Sequence, residues 1–520
     1  MLETCGLWNR IGVVKVDPKR KPCVQEGRRF QVKKMTTTIL AALVCSVYIL
    51  SGVAAVAGEV GKIPLSTKSD RALEYYLRGR SLAEKLRGQE SRRYFQEAIN
   101  EDPNFAMAYF QLAFAQPSTK GFFESFNKAL SLIDNVSEGE KLMILGSEAG
   151  DINRDPTTQR KLFRQLVDIY PNDERAHNLL ANHYFGQQMY ELAIIEYERV
   201  IKINPTFSQS YNQLGYAYRF LGRYDDAEQA FKNYIELIPD DPNPYDSYAE
   251  LLMKMGRFEE SIANYKKALK VNPDFAFSHV GIASNLTYMG DHRAALKRLQ
   301  KMYDASLDDG QRRIALASMA VCYVDSGEID LALAQLRRQL KLAEAINDTA
   351  AMANDNGIIA FVQIETGESG DAKANFDKAL ALIEESSLSD EVKDLARLGY
   401  LFSMARVHIV NGNLEEAKVN ATEYANRAGA AHNPLQVRQA HQLMGMIALE
   451  EADFRTAIQE FMQSDQQNPY NFYRMAIAYE GSGDREKARE LYDKAANYNI
   501  VNNFNYALIR IKAREKLALL

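Results

Sequence analysis

Residues 205–238 read PTFSQSYNQLGYAYRFLGRYDDAEQAFKNYIELI, and residues 239–272 read PDDPNPYDSYAELLMKMGRFEESIANYKKALKVN. The two segments have the same length and align without a gap. Proline returns once in every 34 residues, at Pro171, Pro205, Pro239 and Pro273. Large residues keep one column and small residues another, as in Tyr197, Phe231 and Tyr265 beside Ala193, Ala227 and Ser261. This pattern is typical of a helical hairpin stacked on copies of itself.

Glycine recurs in the same frame, at Gly222, Gly256 and Gly290. These positions fall between the two predicted helices of each unit, where a turn often requires positive φ. The period and its columns resemble the tetratricopeptide repeat. The resemblance implies an all-α fold, a right-handed superhelical solenoid of antiparallel helix pairs. In the unit after Pro239, we expect Asn243 to cap a helix that begins at Pro244.

The repeat frame divides the chain into four parts. Residues 1–57 precede the repeats, and residues 69–308 carry N-terminal repeats of 34-residue period. Residues 309–500 are expected to form looser, longer helical repeats, which gives about eleven or twelve hairpins in all. Residues 501–520 are expected to form a capping helix, because the last repeat would otherwise expose its apolar face. The basic residues of this helix, Arg510 among them, are expected to face water.

Charge is distributed unevenly along the chain. Residues 1–34 contain nine Lys or Arg and three Asp or Glu, and residues 35–57 contain no charged side chain. The remainder keeps 54 of the 63 basic and 65 of the 68 acidic residues, a net charge of −11. An acidic body repels phosphate backbones, so we expect no nucleic-acid partner.

The uncharged run from Met35 to Ala57 ends in Ala55-Val56-Ala57, which matches the small residues of a signal-peptide cleavage site. We therefore expect export to the periplasm or the exterior. The alternative is a retained membrane anchor at residues 39–57, which would hold the solenoid outside the cytoplasm. Residues 1–31 fit poorly before a signal peptide, and we hypothesise that translation starts at Val32.

The sequence contains no motif that indicates catalysis or a cofactor. Cys322 is the one cysteine after residue 57, so we expect neither a disulfide nor a cysteine metal site, and we interpret it as a buried, inert thiol. No two of the seven histidines are three or four residues apart, so no zinc pair on a helix is indicated. His177 and His279 occupy the aromatic opening position of their repeats and are expected to pack there. We predict no enzyme activity, no metal and no cofactor.

The family resemblance directs attention to the inner groove, which the first helix of each hairpin lines and where peptides typically bind. Its groove positions, carried onto the three strongest units, are Arg175, Asn178, Asn182, Gln209, Asn212, Tyr216, Arg219, Asp246 and Glu250. Amide and guanidinium groups are suited to gripping an extended peptide. Asp246 and Glu250 depart from the subclass that clamps chain-terminal carboxylates with Lys, Arg and Asn, so an acidic C-terminal tail is a doubtful ligand.

Two other interpretations of these residues stay open: a solvated inner surface without a ligand, or binding along the longer C-terminal hairpins. The function that we expect is a non-catalytic scaffold of the cell envelope that binds partner proteins or extended peptides in the groove. The alternative is an accessory or substrate-recognition subunit of an envelope enzyme complex. A hydrolase with an atypical site would require a motif that the sequence does not contain.

Overall fold

The computed structural model describes residues 61–520, except residues 86, 117, 118, 154, 307, 387, 389 and 432. The described residues contain 25 α-helices and no strand, so the expected all-α fold is confirmed. Residues 1–60, with the expected signal peptide or anchor, lie outside the described residues.

From residue 61 onward, twelve antiparallel hairpins follow one another, and a single helix comes after the last of them. The first six hairpins are α1–α2 (Asp70–Ala83, Gly88–Glu101), α3–α4 (Ala106–Ala115, Thr119–Ser131), α5–α6 (Glu138–Ser147, Pro156–Ile169), α7–α8 (Glu174–Gly186, Tyr190–Ile203), α9–α10 (Ser208–Phe220, Tyr224–Leu237) and α11–α12 (Pro242–Lys254, Phe258–Val271). The next six are α13–α14 (Ala276–Tyr288, His292–Ala305), α15–α16 (Asp309–Asp325, Ile329–Ala345), α17–α18 (Thr349–Glu365, Ser369–Glu384), α19–α20 (Asp390–Val410, Leu414–Ala430), α21–α22 (Pro434–Glu450, Phe454–Gln463) and α23–α24 (Pro469–Gly481, Arg485–Ala496). The final helix is α25 (Phe504–Leu519).

The columns of the sequence repeat have direct structural counterparts. Gly222, Gly256 and Gly290 have φ of 74°, 75° and 87° in the turns between paired helices, as expected. Within a hairpin, a Cβ on Gly215 would lie 2.7 Å from the ring of Phe231, so only glycine allows the two helices to approach this closely. The small and large columns therefore fix how closely the two helices of a hairpin pack.

The start of α11 differs from the expectation. Asp241 caps this helix by accepting a hydrogen bond from the backbone N of Asn243 at 3.0 Å, and Pro242 is the first helical residue. Asn243 was therefore the wrong cap, by two residues. Both Pro242 and Pro244 fit the first turn, where backbone N–H groups have no partner within the helix, so proline alone does not fix the boundary.

The third hairpin is irregular. A π-helical turn, Glu148–Ile152, extends α5 before the chain reaches α6. Asp155 then caps α6 by accepting from the backbone N of Thr157 at 3.1 Å.

Cys322 is buried, as expected, with 2% of its surface exposed. Burial raises the pKa of its thiol to about 11, although a hydrogen bond from Thr287 acts in the opposite direction. A thiol that is both protonated and inaccessible is chemically inert.

The C-terminal part of the chain returns to the middle of the solenoid. The last residues of three consecutive first helices contact this C-terminal part. Lys254 at the end of α11 donates to the carbonyl of Tyr498 at 2.6 Å, and Tyr288 at the end of α13 donates to the carbonyl of Ile500. Asp325 at the end of α15 pairs with Arg510 of α25.

The pair between Asp325 and Arg510 is fully buried, which corrects the expectation that Arg510 faces water. The Arg510 side chain is 2% exposed. Its Nε donates to Asp325 Oδ1 at 2.6 Å, and its Nη2 donates to the second carboxylate oxygen. His292 also contacts Oδ2 of Asp325, at 2.8 Å. Residues of α25 such as Tyr506 and Ile509 join the hydrophobic cluster of the C-terminal hairpins.

We expect Asp325→Asn to release α25, because the substitution leaves the Arg510 guanidinium buried without an opposite charge. The expected cost is about 3 kcal/mol of unfolding free energy. Urea unfolding measures this cost, and hydrogen exchange of α25 amides reports the local release. Glu480→Gln is the matched control, since Glu480 pairs with Lys516 of the same helix at a site about one third exposed. Equal losses in the two variants would contradict a special role for the buried pair.

Candidate functional site

The nine predicted groove residues lie on α7, α9 and α11, the first helices of three consecutive hairpins. We call this surface the α7–α9–α11 face. Arg175, Asn182, Gln209, Tyr216, Arg219 and Glu250 are half-buried on it, and Asn178, Asn212 and Asp246 are buried. Burial alone therefore separates six accessible groups from three that belong to the helix packing.

Short polar side chains connect neighbouring first helices at a fixed spacing. Ser210 Oγ donates to Asn178 Oδ1 at 3.2 Å, and Ser278 Oγ donates to Asp246 Oδ1 at 2.6 Å. Each donor follows its acceptor by 32 residues, nearly one repeat. The Asn and Asp side chains that sequence analysis assigned to a ligand thus first bind the next repeat.

A second row of contacts lies further along the same helices. Tyr216 OH lies 3.3 Å from Ser247 Oγ, and Arg219 Nη1 donates to Glu250 Oε2 at 3.1 Å. The Arg219 guanidinium lies over the ring of Tyr216, 4.8 Å from its centroid. Burial, followed by the charge of Glu250, raises the pKa of Tyr216 well above its usual value, so its phenol remains a hydrogen-bond donor.

Asn212 interrupts the row formed by Asn178 and Asp246, one repeat from each. Its Oδ1 is buried and has no hydrogen-bond partner. The residue that should donate to it, 32 positions further on, is Pro244, which has no donor group. Serine occupies the corresponding positions 210 and 278, so the orphaned oxygen results from one substitution in a repeating column.

Asp246 differs electrostatically from the two asparagines in its column. Burial raises its pKa from 3.8 to about 8, and the nearby charge of Glu250 acts in the same direction. The hydrogen bond from Ser278 opposes the shift without cancelling it. At neutral pH the side chain is therefore mainly a neutral acid, and the pair Arg219–Glu250 carries no net charge.

Arg175 lies at the N-terminal edge of the face, within a chain of charges. It donates to Glu84 of the first hairpin at 2.7 Å and to Glu174 at 2.6 Å, and Lys62 also pairs with Glu174. Burial opposes ionisation of Glu174, but Arg175 and Lys62 outweigh it and lower the pKa of Glu174 to about 2. This ion network joins α1, α7 and the segment that precedes the first hairpin.

That segment, residues 61–67, has no regular secondary structure and contacts the starts of α5 and α7. The backbone N of Ile63 donates to Asp173 Oδ2 and that of Ser66 donates to Glu140 Oε1, each at 2.9 Å. Ser137 Oγ donates to the carbonyl of Pro64 at 2.8 Å. Side chains of this solenoid thus hold backbone groups of a non-helical segment in the chain's own fold.

The two remaining predicted residues differ in their contacts. Asn182 accepts a hydrogen bond from Tyr197 OH at 2.7 Å, which links the two helices of one hairpin. Gln209 is half-exposed near the start of α9.

The histidines at the opening position of the repeats make structural contacts. The ring Nε2 of His177 lies 3.0 Å from the carbonyl O of Pro171, and that of His279 lies 2.9 Å from the carbonyl O of Pro273. Tyr211 OH donates to the carbonyl of Pro205 in the same way, at 3.2 Å. The aromatic residue at this position therefore fastens the first helix to the proline that closes the preceding unit.

Sequence reasoning missed the serine partners of the face and the distant Glu84. The serines were accessible to it, because Ser210 and Ser278 share a column of the repeat. Glu84 was not, because its contact with Arg175 spans 91 residues and follows from the curvature of the first hairpins.

Profiles of the tetratricopeptide repeat match residues 174–207, 196–229, 243–275 and 470–499. These segments are therefore tetratricopeptide repeats. Such repeats generally bind proteins or peptides, which supports a role as a protein-interaction scaffold. No curated protein matches the chain.

Solved structures of tetratricopeptide-repeat proteins resemble parts of the chain. A thermophilic TPR protein of Thermus thermophilus is 22% identical, covers 41% of this chain and 98% of its own, and has a TM-score of 0.27. A tetratricopeptide repeat protein from Parabacteroides merdae is 14% identical, covers 55% of this chain and 100% of its own, and has a TM-score of 0.34.

Two further features concern metals and membranes. Within the described residues, no group of three or more His, Cys, Asp or Glu side chains could hold a metal ion. Within the described part of the chain, no helix combines the length and apolar composition needed to cross a membrane.

We expect Pro244→Ser to stabilise the protein, because the new hydroxyl would donate to the orphaned oxygen of Asn212 as Ser210 does to Asn178. The expected gain is about 1 kcal/mol of unfolding free energy, partly offset by the lost rigidity of proline. Urea unfolding measures the gain. Pro242→Ser in the same helical turn is the control, since position 242 does not belong to the column of Ser210, Pro244 and Ser278. A gain in the control, or none in Pro244→Ser, would contradict this account.

We expect Asp246→Asn to change how stability depends on pH. The folded chain keeps the Asp246 proton up to about pH 8, whereas the unfolded chain loses it near pH 4. Between these values the folded state binds more protons, so the stability of the unmodified protein falls as pH rises. Asparagine can still accept from Ser278 and removes this fall, so the variant should be more stable at pH 8, by an amount on the order of a few kcal/mol. Unfolding measured from pH 4 to pH 9 tests this, with the exposed Asp240→Asn as control; parallel profiles would refute it.

Proposed function

We propose that the protein is an exported, non-catalytic scaffold that binds a partner protein or an extended peptide on the α7–α9–α11 face. Export rests on the signal-like segment at residues 35–57, which lies outside the described residues. Export would place the protein in the periplasm or outside the cell. Retention of residues 39–57 as an anchor would place the same face outside the cytoplasm at the membrane.

One observation carries the binding proposal: six polar and aromatic side chains that keep part of their surface exposed lie on three consecutive first helices. They include the amides of Asn182 and Gln209, which offer both donors and acceptors to a peptide backbone. The non-helical residues 61–67 support this mode of binding, because side chains at the starts of α5 and α7 already hold their backbone groups. An extended partner would be held on the α7–α9–α11 face in the same way, by side chains that bond its backbone groups.

The charge balance of the face favours a partner without strong net charge. Arg175 and Arg219 are paired with carboxylates, and the buried Asp246 is mainly neutral at neutral pH. An acidic tail would find no unpaired cation among these residues, and a nucleic acid would meet an acidic body. Hydrogen bonds to backbone amides are therefore the proposed basis of recognition.

A non-catalytic role fits the state of the titratable groups. Arg219 and Glu250 bind each other, Asp246 is bound by Ser278, and His177 and His279 contact the carbonyls of closing prolines. Each group thus has a structural partner that accounts for its position. A nucleophile and a base aimed at a shared point do not occur on this face.

The experiment is site-specific photo-crosslinking in the cells that produce the protein, from position 209 and separately from position 229. Gln209 lies on the face, whereas Gln229 is the same residue type on α10, the other helix of that hairpin, and is exposed. We expect a discrete protein to be captured from position 209 only. The half-exposed amide at 209 lies beside the proposed ligand, and position 229 lies on the opposite side of the hairpin.

The captured protein is then titrated against the purified chain and against Arg219→Ala, which removes a guanidinium from the centre of the face. We expect about a tenfold loss of affinity, because the Arg219 guanidinium keeps N–H donors beyond the one bonded to Glu250 and a charge-assisted hydrogen bond to a peptide carbonyl would be lost. Equal capture at both positions would make the face a solvated surface without a ligand, and unchanged affinity in the variant would contradict binding at the centre of the face.

A further inference from the structure

A second cluster of charged groups lies inside the C-terminal hairpins, where α17, α19 and α23 meet. Its centre is Glu365, the last residue of α17. Glu365 accepts hydrogen bonds from Arg406 on its Oε1 and from Tyr470 OH on its Oε2. Arg474 Nη2 lies 3.5 Å from Oε1 as well.

The cluster holds one more positive charge than negative. Arg406 and Arg474 are each 7% exposed, and Glu365 is the carboxylate that pairs with both of them. Burial opposes ionisation of Glu365, but the two guanidinium groups outweigh it and lower its pKa, so it is an anion. One carboxylate cannot balance two guanidinium groups, and a buried unbalanced charge is costly.

The hydrogen-bond pattern shows the same deficit. Nε of Arg406 is buried and has no partner. Glu365 cannot supply one readily, because its two oxygens already receive Arg406, Arg474 and Tyr470. Burial, moreover, lowers the pKa of Arg474 below its usual value although Glu365 acts to raise it. The cluster therefore lacks a hydrogen-bond acceptor that carries negative charge.

Aromatic rings hold both guanidinium planes in place. The Arg474 guanidinium lies 3.8 Å from the ring centroid of Tyr470, and that of Arg406 lies 4.9 Å from the centroid of Phe361. A guanidinium fixed on a ring has lost its freedom before a ligand arrives, so binding an oxyanion costs less entropy.

The buried pair of Arg510 and Asp325 provides a contrast. That pair is also buried, and one nitrogen of Arg510 lacks a partner. There, however, one guanidinium meets one carboxylate in a bidentate contact, so the charges balance. The surplus cation distinguishes the Glu365 cluster.

We propose that Arg406 and Arg474 form a binding site for an anionic oxygen group, a carboxylate or a phosphate, presented on the inner side of the C-terminal hairpins. The site is separate from the α7–α9–α11 face and does not depend on the function proposed for it. Glu365 positions the two arginines, and the ligand supplies the missing negative charge.

Thermal unfolding of the purified full chain tests this in sodium phosphate, sodium acetate and sodium chloride at one ionic strength. Tm should rise with phosphate or acetate concentration relative to chloride, because a ligand that binds only the folded state stabilises it by mass action. A response to acetate identifies carboxylate recognition, and a response to phosphate alone identifies phosphate recognition.

Three variants decide whether the response belongs to this site. Arg406→Gln removes the surplus charge and should abolish it. Glu365→Gln leaves two unpaired guanidinium groups, so it should lower Tm in chloride and enlarge the anion response. Arg397→Gln, on the same helix at an exposed site paired with Glu384 and Asp394, should leave the response unchanged.

The rise of Tm with anion should vanish in Arg406→Gln and grow in Glu365→Gln. Either variant therefore tests the proposal if the other folds poorly. Equal Tm in all three salts would overturn the proposal. So would an anion response that persists in Arg406→Gln or that shrinks in Glu365→Gln.

Discussion

The buried pair of Asp325 and Arg510 turns a linear stack of hairpins into a closed arrangement. It joins residues 185 positions apart, and both side chains are almost inaccessible to water. Desolvating the two charges is costly, so only a good geometry makes the contact tolerable. The bidentate hydrogen bonds supply that geometry and thereby specify where the final helix lies.

This closure changes how stability is distributed along the chain. An open solenoid is approximately a sum of repeats and nearest-neighbour interfaces. Here the ends of α11, α13, α15 and α17 also contact residues 470–510, so the C-terminal hairpins share one hydrophobic cluster with the last helix. We therefore infer that these hairpins unfold as a larger cooperative unit than their repeat pattern alone would suggest.

The sequence predicted what lies within one repeat and between neighbours. The glycine turns and the all-α hairpins follow from columns of the repeat. The inward position of Arg510 does not, because it depends on how far the solenoid curves before the chain ends. The cap of α11 was misplaced for a local reason: two prolines two residues apart are equally compatible with the first helical turn.

The candidate face illustrates the same limit for function. Its residues were found by column, yet the structure shows that a column of Asn and Asp can first serve the next repeat, as Ser210 and Ser278 show. A ligand can use two kinds of group. Some are left partly exposed by the regular hydrogen bonds between neighbouring repeats, and others lie where such a hydrogen bond is missing. Regular positions build the solenoid, and departures such as Pro244 beside Asn212, or a second arginine beside Glu365, mark where bonding capacity is unused. In a repeat protein, the irregular positions are therefore the better starting point for locating a ligand.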